Sequence, residues 1–283
     1  VTLSRDTLRG WGFAAPALLW TLAFFVVPFV VMGAMSLATM EGRTLIWGLH
    51  LDNYAALAQK KYLWRAIIVS LEITLTVTVV SVLLAYPLAW IIAFRVPKRW
   101  QRLVLLLSIL PFWTSYVVRS YAWLLVLARE GVVNKAMIWL GMIAEPVTLA
   151  NTRFATVTGF VHFFVMLLVL TIYANLIQLP PNYRRAAMDL GASAFQTFRH
   201  VILPLTLPGI MTGAFLTFVL CIGDYITPQI LGGNTELTVP QVIMVQLGRR
   251  ADFPLAAALA LVLMGIVTLA YLAFARWLRL DRI

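Results

Sequence analysis

Three charged residues fall inside long apolar runs: Glu72, Arg119 and Asp224. A charge at membrane depth is costly, so it faces a cavity, a partner or another charge. Aromatic rings accompany them. Trp113, Tyr116, Tyr121 and Trp123 flank Arg119, and Tyr225 follows Asp224. Carboxylates replace part of a cation's hydration, and an aromatic face attracts a cation by about 0.5–2 kcal/mol. Two acids among several rings therefore suit a shallow path for a positively charged solute, from which it can still leave. Tyr116 shares a helix face with Arg119 and with Trp123, three and seven residues on. Behind Asp224 stand Pro228 and the Gly232-Gly233 pair. They predict a broken helix, tolerated at membrane depth only where it lines protein or water. Each group also has a plainer reading. Asp224 either lines the path, caps a helix or pairs with Arg119. Glu72, which follows the basic residues Lys60, Lys61 and Arg65, either lines the path or pairs with an arginine. The rings either form a gate or pack and make an interfacial belt. His162 reads as a hydrogen-bonded interior residue rather than a proton relay, and His50 and His200 have no ligand partners at useful spacing. No metal site is expected.

These residues need long apolar elements to carry them. Of 283 residues, 62% are hydrophobic and 12% charged, against about half and about a quarter in soluble domains. The composition is that of an integral membrane protein, and the expected fold class is all-α. A span needs about 20 mainly apolar residues, and six segments qualify, at about 14–38, 66–94, 103–128, 154–177, 205–223 and 254–275. The first is long and lacks a small-residue cleavage site, which reads as a retained span rather than a removed signal peptide. Pro111 and Ser115 are expected to distort the third. Residues 39–65 have room for a short surface helix or form an ordinary connector. Asn134–Ile143 is either an amphipathic helix at the outer surface or an ordinary connector. Without internal repeats or low-complexity tracts, one domain over 1–283 is the simplest organisation.

The net charge of +11 would suggest nucleic acid in a soluble protein. Here the cations gather at span ends, so anionic lipid headgroups are the expected partner and nucleic acid is not. With the N-terminus inside, Arg5, Arg9, Arg95, Lys98, Arg99, Arg102, Arg184, Arg185, Arg199, Arg276, Arg279 and Arg282 are cytoplasmic. Outside lie Arg43, Lys60, Lys61, Arg65, Arg129, Lys135, Arg153, Arg249 and Arg250, so the count is twelve against nine. That bias, with Trp11, Trp100 and Trp277 near the inner boundary, predicts both termini in the cytoplasm. The single cysteine, Cys221, can build neither a disulfide framework nor a zinc site.

Between the fourth and fifth spans, 180–204 is polar and helix-forming. Pro180 and Pro181 end the fourth span, good helix formers follow, and Gly191 stops them. Ser193 is an N-cap for a second short helix, Ala194 to Val201. Pro204 and Pro208 bracket the start of the fifth span. Phe195 and Phe198, three apart, are expected on one face. A helix-turn-helix knob with small residues outside the bilayer suits docking to a partner, or else packs on itself.

This loop resembles a known family. Arg185-Ala186-Ala187, three residues, Gly191, nine residues and Val201-Ile202-Leu203-Pro204 are similar to the "EAA" loop of permease subunits in binding-protein-dependent ABC importers. Arg185 stands where the family has glutamate, and Val201 where it has isoleucine. The resemblance implies a coupling helix, with Arg185, Ala186, Ala187, Asp189, Gly191, Ala192, Phe195, Leu203 and Pro204 meeting the ATP-hydrolysing subunit. LPFWTSYVVRSYAW (110–123), GVVNKAMIWLG (131–141) and GDYITPQILGG (223–233) resemble segments of spermidine/putrescine permeases. A polyamine, an apolar chain with several ammonium groups, suits the acids and rings above. What the resemblance implies is a six-helix type I ABC importer permease fold, methionine-importer-like, in a bacterial inner membrane. It also implies a second homologous permease, two ATPase subunits that bind ATP and magnesium, and a periplasmic substrate-binding protein.

No phosphate loop G-x-x-x-x-G-K-[ST], no H-E-x-x-H and no G-x-S-x-G is present. The chain therefore reads as a transport subunit without catalysis or cofactor of its own. An ion-coupled secondary carrier would show inverted repeats and more buried titratable groups. Within the importer class, another small amine, an amino-acid derivative or an opine stands as the alternative cargo.

Overall fold

The structure, a computed structural model, describes residues 5–42, 44–233 and 236–278. Arg43, Arg279 and Arg282, counted above for orientation, lie outside the described residues. The chain is almost wholly helical and groups into two compact units, 1–64 with 242–265 and 65–241 with 266–283.

In the first unit, α1 (Arg5–Thr21) runs through a π turn (Leu22–Val26) into α2 (Val27–Ser36). Phe13–Ser36 is one apolar span, and no part of its most apolar window is buried. A small antiparallel hairpin follows, β1 (Thr39–Glu41) on β2 (Thr44–Ile46), with Met40 opposite Leu45. The stretch with room for a short surface helix holds α3 (Asp52–Gln59); the hairpin was not expected. Asn53 pins the two ends of the connection, since its Nδ2 donates to the Ser36 carbonyl at 2.9 Å and to that of Ala38 at 2.7 Å.

The second unit is built on three helices. α4 (Lys61–Phe94), which begins in the first unit, has 34 residues, or about 51 Å at 1.5 Å each. α8 is Arg153–Leu176 and α11 is Leu203–Gly223. Along α4, Val69, Ile73 and Val77 repeat every four residues and pack with Phe160, Phe164 and Cys221. Further along the same helix, Ala85, Ala89 and Ile92 pack with Leu168, Ile172 and Ile210. Lipid offers no hydrophobic drive to join helices, so close backbone approach through small residues matters more. Gly209 and Gly213 supply it on α11. A Cβ at Gly209 would fall 2.2 Å from the Asn175 amide, and one at Gly213 would fall 2.7 Å from Leu168. Gly209→Leu should therefore force α8 and α11 apart at a cost of about 1–3 kcal/mol, read as a lowered thermal midpoint of the detergent-purified protein. An unchanged midpoint would mean that this contact does not hold the unit.

The third span departs most from expectation. Instead of one distorted helix over 103–128, α5 (Lys98–Ile109) and its 3₁₀ extension Leu110–Trp113 meet α6 (Tyr116–Val126) at 90°. Proline supplies no N–H to continue the ladder, and Thr114 and Ser115 are extended, with ψ of 151° and 131°. The Pro111 carbonyl that the break releases is recaptured. It accepts from the Thr114 hydroxyl at 2.7 Å and from Arg119 Nη1 at 3.0 Å. Among the described residues, five helices are long and apolar enough to cross a membrane, or six with the bent pair as one span. α7 (Val132–Trp139) occupies the stretch where an amphipathic helix was one reading. The buried Asn134 ties it down through bonds to the Ala128 and Val147 carbonyls, at 3.0 Å each.

Candidate functional site

Asp224 follows the last residue of α11, where the chain turns into α12 (Ile226–Leu231). Its Oδ1 accepts from the Ile226 amide at 2.9 Å, and its Oδ2 accepts from the Thr227 amide at 3.3 Å and from the Tyr116 hydroxyl. The carboxylate thus caps α12 in the manner favoured for Asp. It makes no salt bridge to Arg119; both instead touch Tyr116, whose ring centroid lies 5.5 Å from the guanidinium carbon of Arg119. Asp224 and Tyr116 remain only half-buried.

Arg119 is buried, yet no carboxylate partners it among the described residues. Its charge is met by the Pro111 carbonyl and by the Phe163 ring, 4.7 Å from the guanidinium carbon. Such cation–π contacts strengthen on desolvation. Tyr116 packs edge-on against Phe163 at 5.2 Å, and Trp123 Nε1 donates to His162 Nδ1 at 3.0 Å. Tyr116, Arg119 and Trp123 therefore share the α6 face turned to α8. The remaining rings of the set stand apart from this face: Trp113 is 82% exposed and Tyr121 54%. Tyr225, at the start of α12, is also exposed. Glu72 pairs with Arg153 at 2.6 Å, both partly exposed, and Arg65 pairs with Glu236 at 3.1 Å. Phe163, Thr227 and Arg153 were not singled out from the sequence. Only Thr227 had a local signal, three residues after an Asp that precedes a short helix.

At the other end of α11 stands the knob. α9 (Pro181–Asp189) has proline at its first position, where the missing N–H costs nothing. It ends at Gly191 with φ of +83°. Gly191 N–H donates to the Met188 carbonyl and Ala192 N–H to that of Ala187, at 2.9 and 3.0 Å, the Schellman pattern. α10 (Ala194–Thr197) then starts on a full capping box between Ser193 and Gln196. Arg185, Ala186, Asp189 and Gly191 are exposed, with Ala187 and Ala192 partly so. Leu190 and Phe195 project at 88% and 67% exposure.

Two expectations here are corrected. The second short helix does not stop near Val201. It passes through a π turn (Phe198–Ile202) into α11, so Ala194–Gly223 is continuous. The π turn bonds the Leu203 amide to the Phe198 carbonyl, and that widening lets Pro204 follow without breaking the helix. Nor do Phe195 and Phe198 share a face. Phe198 turns inward onto Tyr86 and Trp90, at 5.8 and 5.5 Å, while Phe195 points out.

A bundle of apolar helices of membrane-spanning length, with an exposed knob on one continuous span, is the architecture of an integral membrane protein. Residues 85–279 match the family described as binding-protein-dependent transport system inner membrane component, and the chain belongs to that family. Over 256 residues it is 33% identical to the spermidine/putrescine transport system permease protein PotB of Salmonella typhimurium (strain SL1344), covering 89% of this chain and 88% of the other. Its fold is similar to that of a bacterial alginate ABC transporter solved with an alginate pentasaccharide-bound periplasmic protein. The TM-score is 0.78 at 19% identity, over 97% of this chain and 98% of that one. A chain of the MetNI methionine ABC transporter in an inward-facing form matches with a TM-score of 0.58 at 16% identity, over 76% and 94%. The chain is a multi-pass permease subunit with the type I ABC importer fold.

Proposed function

We propose that this permease carries polyamines, spermidine or putrescine, from a periplasmic binding protein into the cytoplasm by alternating access. The observation that carries the reading is the 33% identity to a spermidine/putrescine permease across 89% of the chain. The half-buried carboxylate of Asp224 beside Tyr116 supports it, since a passing ammonium needs brief, weak substitutes for water. A second homologous permease completes the path. Two ATPase subunits, which bind ATP and magnesium, seat against Arg185, Ala186, Ala187, Asp189, Gly191, Ala192 and Phe195, with Leu203 and Pro204 behind them. Arg185, where the family has glutamate, calls for an acid on the matching ATPase. The chain itself performs no catalysis.

The test is uptake of labelled putrescine and spermidine by cells lacking other polyamine importers and supplied with this permease and its partner subunits. Pull-down identifies those partners, and ligand binding to the captured binding protein names the cargo. Uptake of an amino-acid derivative with none of polyamine would overturn the substrate.

Orientation is tested separately. With the knob and both termini in the cytoplasm, a reporter active only there gives signal when fused after Ile283 and none after residue 145. The reverse pattern would place the knob outside and end the coupling reading.

A further inference from the structure

A groove of about 570 Å³ lies at the ends of α4, α5, α8 and α9, apart from the cargo path and sharing Arg185 with the proposed ATPase seat. Its floor is apolar, from Phe94, Ile202 and Leu205 with the more exposed Ile177 beside them, and its rim carries Arg95, Lys98, Arg184 and Arg185. No acid lines it, and none of these four cations makes a salt bridge among the described residues. Arg184 lies over the Phe94 ring, 5.9 Å from its centroid, so at least one cation already leans on the floor.

Depth distinguishes this groove from an ordinary basic patch. It opens where two spans finish, α4 at Phe94 and α8 at Leu176. Two residues beyond Lys98, Trp100 is exposed with Arg99 over its ring. Exposed tryptophan beside basic residues marks the headgroup level of a bilayer. Basic pockets between spans at that level take anionic headgroups.

We propose that the groove binds an anionic phospholipid of the adjoining leaflet. Its phosphate meets Arg95, Lys98 and Arg184, and its acyl chains lie on the apolar floor. This requires that the chain span a membrane and does not depend on the cargo's identity.

The assembled transporter, stripped of lipid, is incubated with equal amounts of phosphatidylglycerol and phosphatidylcholine, and retained lipid is counted by native mass spectrometry. Phosphatidylglycerol should be kept in preference. Arg95→Gln with Lys98→Gln should weaken its retention by roughly thirtyfold, at about 1 kcal/mol per cation near the membrane surface, without changing phosphatidylcholine. Arg249→Gln with Arg250→Gln, distant in sequence and outside the groove, should leave the ratio as it was. If the double variant fails to assemble, Lys98→Gln alone should still weaken retention about fivefold. Equal retention of both lipids by the wild type would overturn the proposal, and so would full retention by the groove variants. Displacement by millimolar inorganic phosphate would make it a free-anion site. Binding seen only after removal of the ATPase would make it that subunit's seat.

Discussion

Gly191→Leu should lower uptake at least about tenfold and cut substrate-stimulated ATP hydrolysis with it, while the membrane fold stays intact. Two effects act together. Gly191 holds φ of +83°, a left-handed conformation that costs a side-chain-bearing residue about 1–2 kcal/mol. A Cβ there meets nothing within 4 Å, so leucine would project freely from the tip and hold a docked partner away. Overpacking of about 1–3 kcal/mol at such a contact is roughly five- to 150-fold in occupancy, and the strained turn adds to it. Gly191→Asn separates the causes, since asparagine accepts the left-handed region with a smaller side chain. It should keep the turn and most of the activity. Normal import and normal ATPase stimulation by the leucine variant would refute docking through this turn.

Asp224→Asn should slow uptake of a cationic cargo roughly tenfold or more at subsaturating substrate. Part of that effect is the lost charge, since a charge-assisted contact is worth about 1.5–3 kcal/mol, provided it is stronger in the rate-limiting state. The structure adds a second part. Oδ1 and Oδ2 both accept from backbone amides, and Oδ2 also from Tyr116. An asparagine must aim its NH₂ at one set of donors, which leaves an amide without an acceptor. Tyr116→Phe divides the contributions: it removes one donor but keeps the charge and both amide bonds, and should be milder. Asp224→Glu keeps the charge but lengthens the reach, and should fall between. Unchanged uptake by the asparagine variant would remove Asp224 from the path. Loss of assembly would mean that its capping role dominates.

What was legible in the sequence was local. Ser193 before a second helix-forming run, and Gly191 after the first, announce a cap and a stop through bonds spanning three to five residues. The apolar runs located the spans, because bilayer thickness fixes their length. The third span was read as distorted from Pro111 and Ser115, but its 90° turn, and the reach of Arg119 back to the Pro111 carbonyl across it, were not read. An arginine partner for Glu72 was one reading, but which distant residue pairs with which left no local trace. Glu72 meets Arg153, 81 residues away, and Arg65 meets Glu236, 171 away. The aromatic cluster divided for the same reason: only the packing of α6 on α8 decides that Tyr116 and Trp123 turn in while Trp113 and Tyr121 remain exposed.

The π turn between the knob and the fifth span also has a mechanical meaning. Because it widens the helix instead of breaking it, Ala194–Gly223 is a 30-residue rod, about 45 Å long. Its exposed end is the proposed seat of the nucleotide-driven subunit, and Asp224 follows directly on the other. A rod of that length tilted by about 10° moves its far tip by roughly 8 Å, more than the breadth of an ammonium group. The carboxylate could then be swung by leverage, with no relay of side-chain rearrangements between. A flexible insertion at the π turn should let ATP be consumed while the far tip stays still, a slipping clutch within one helix.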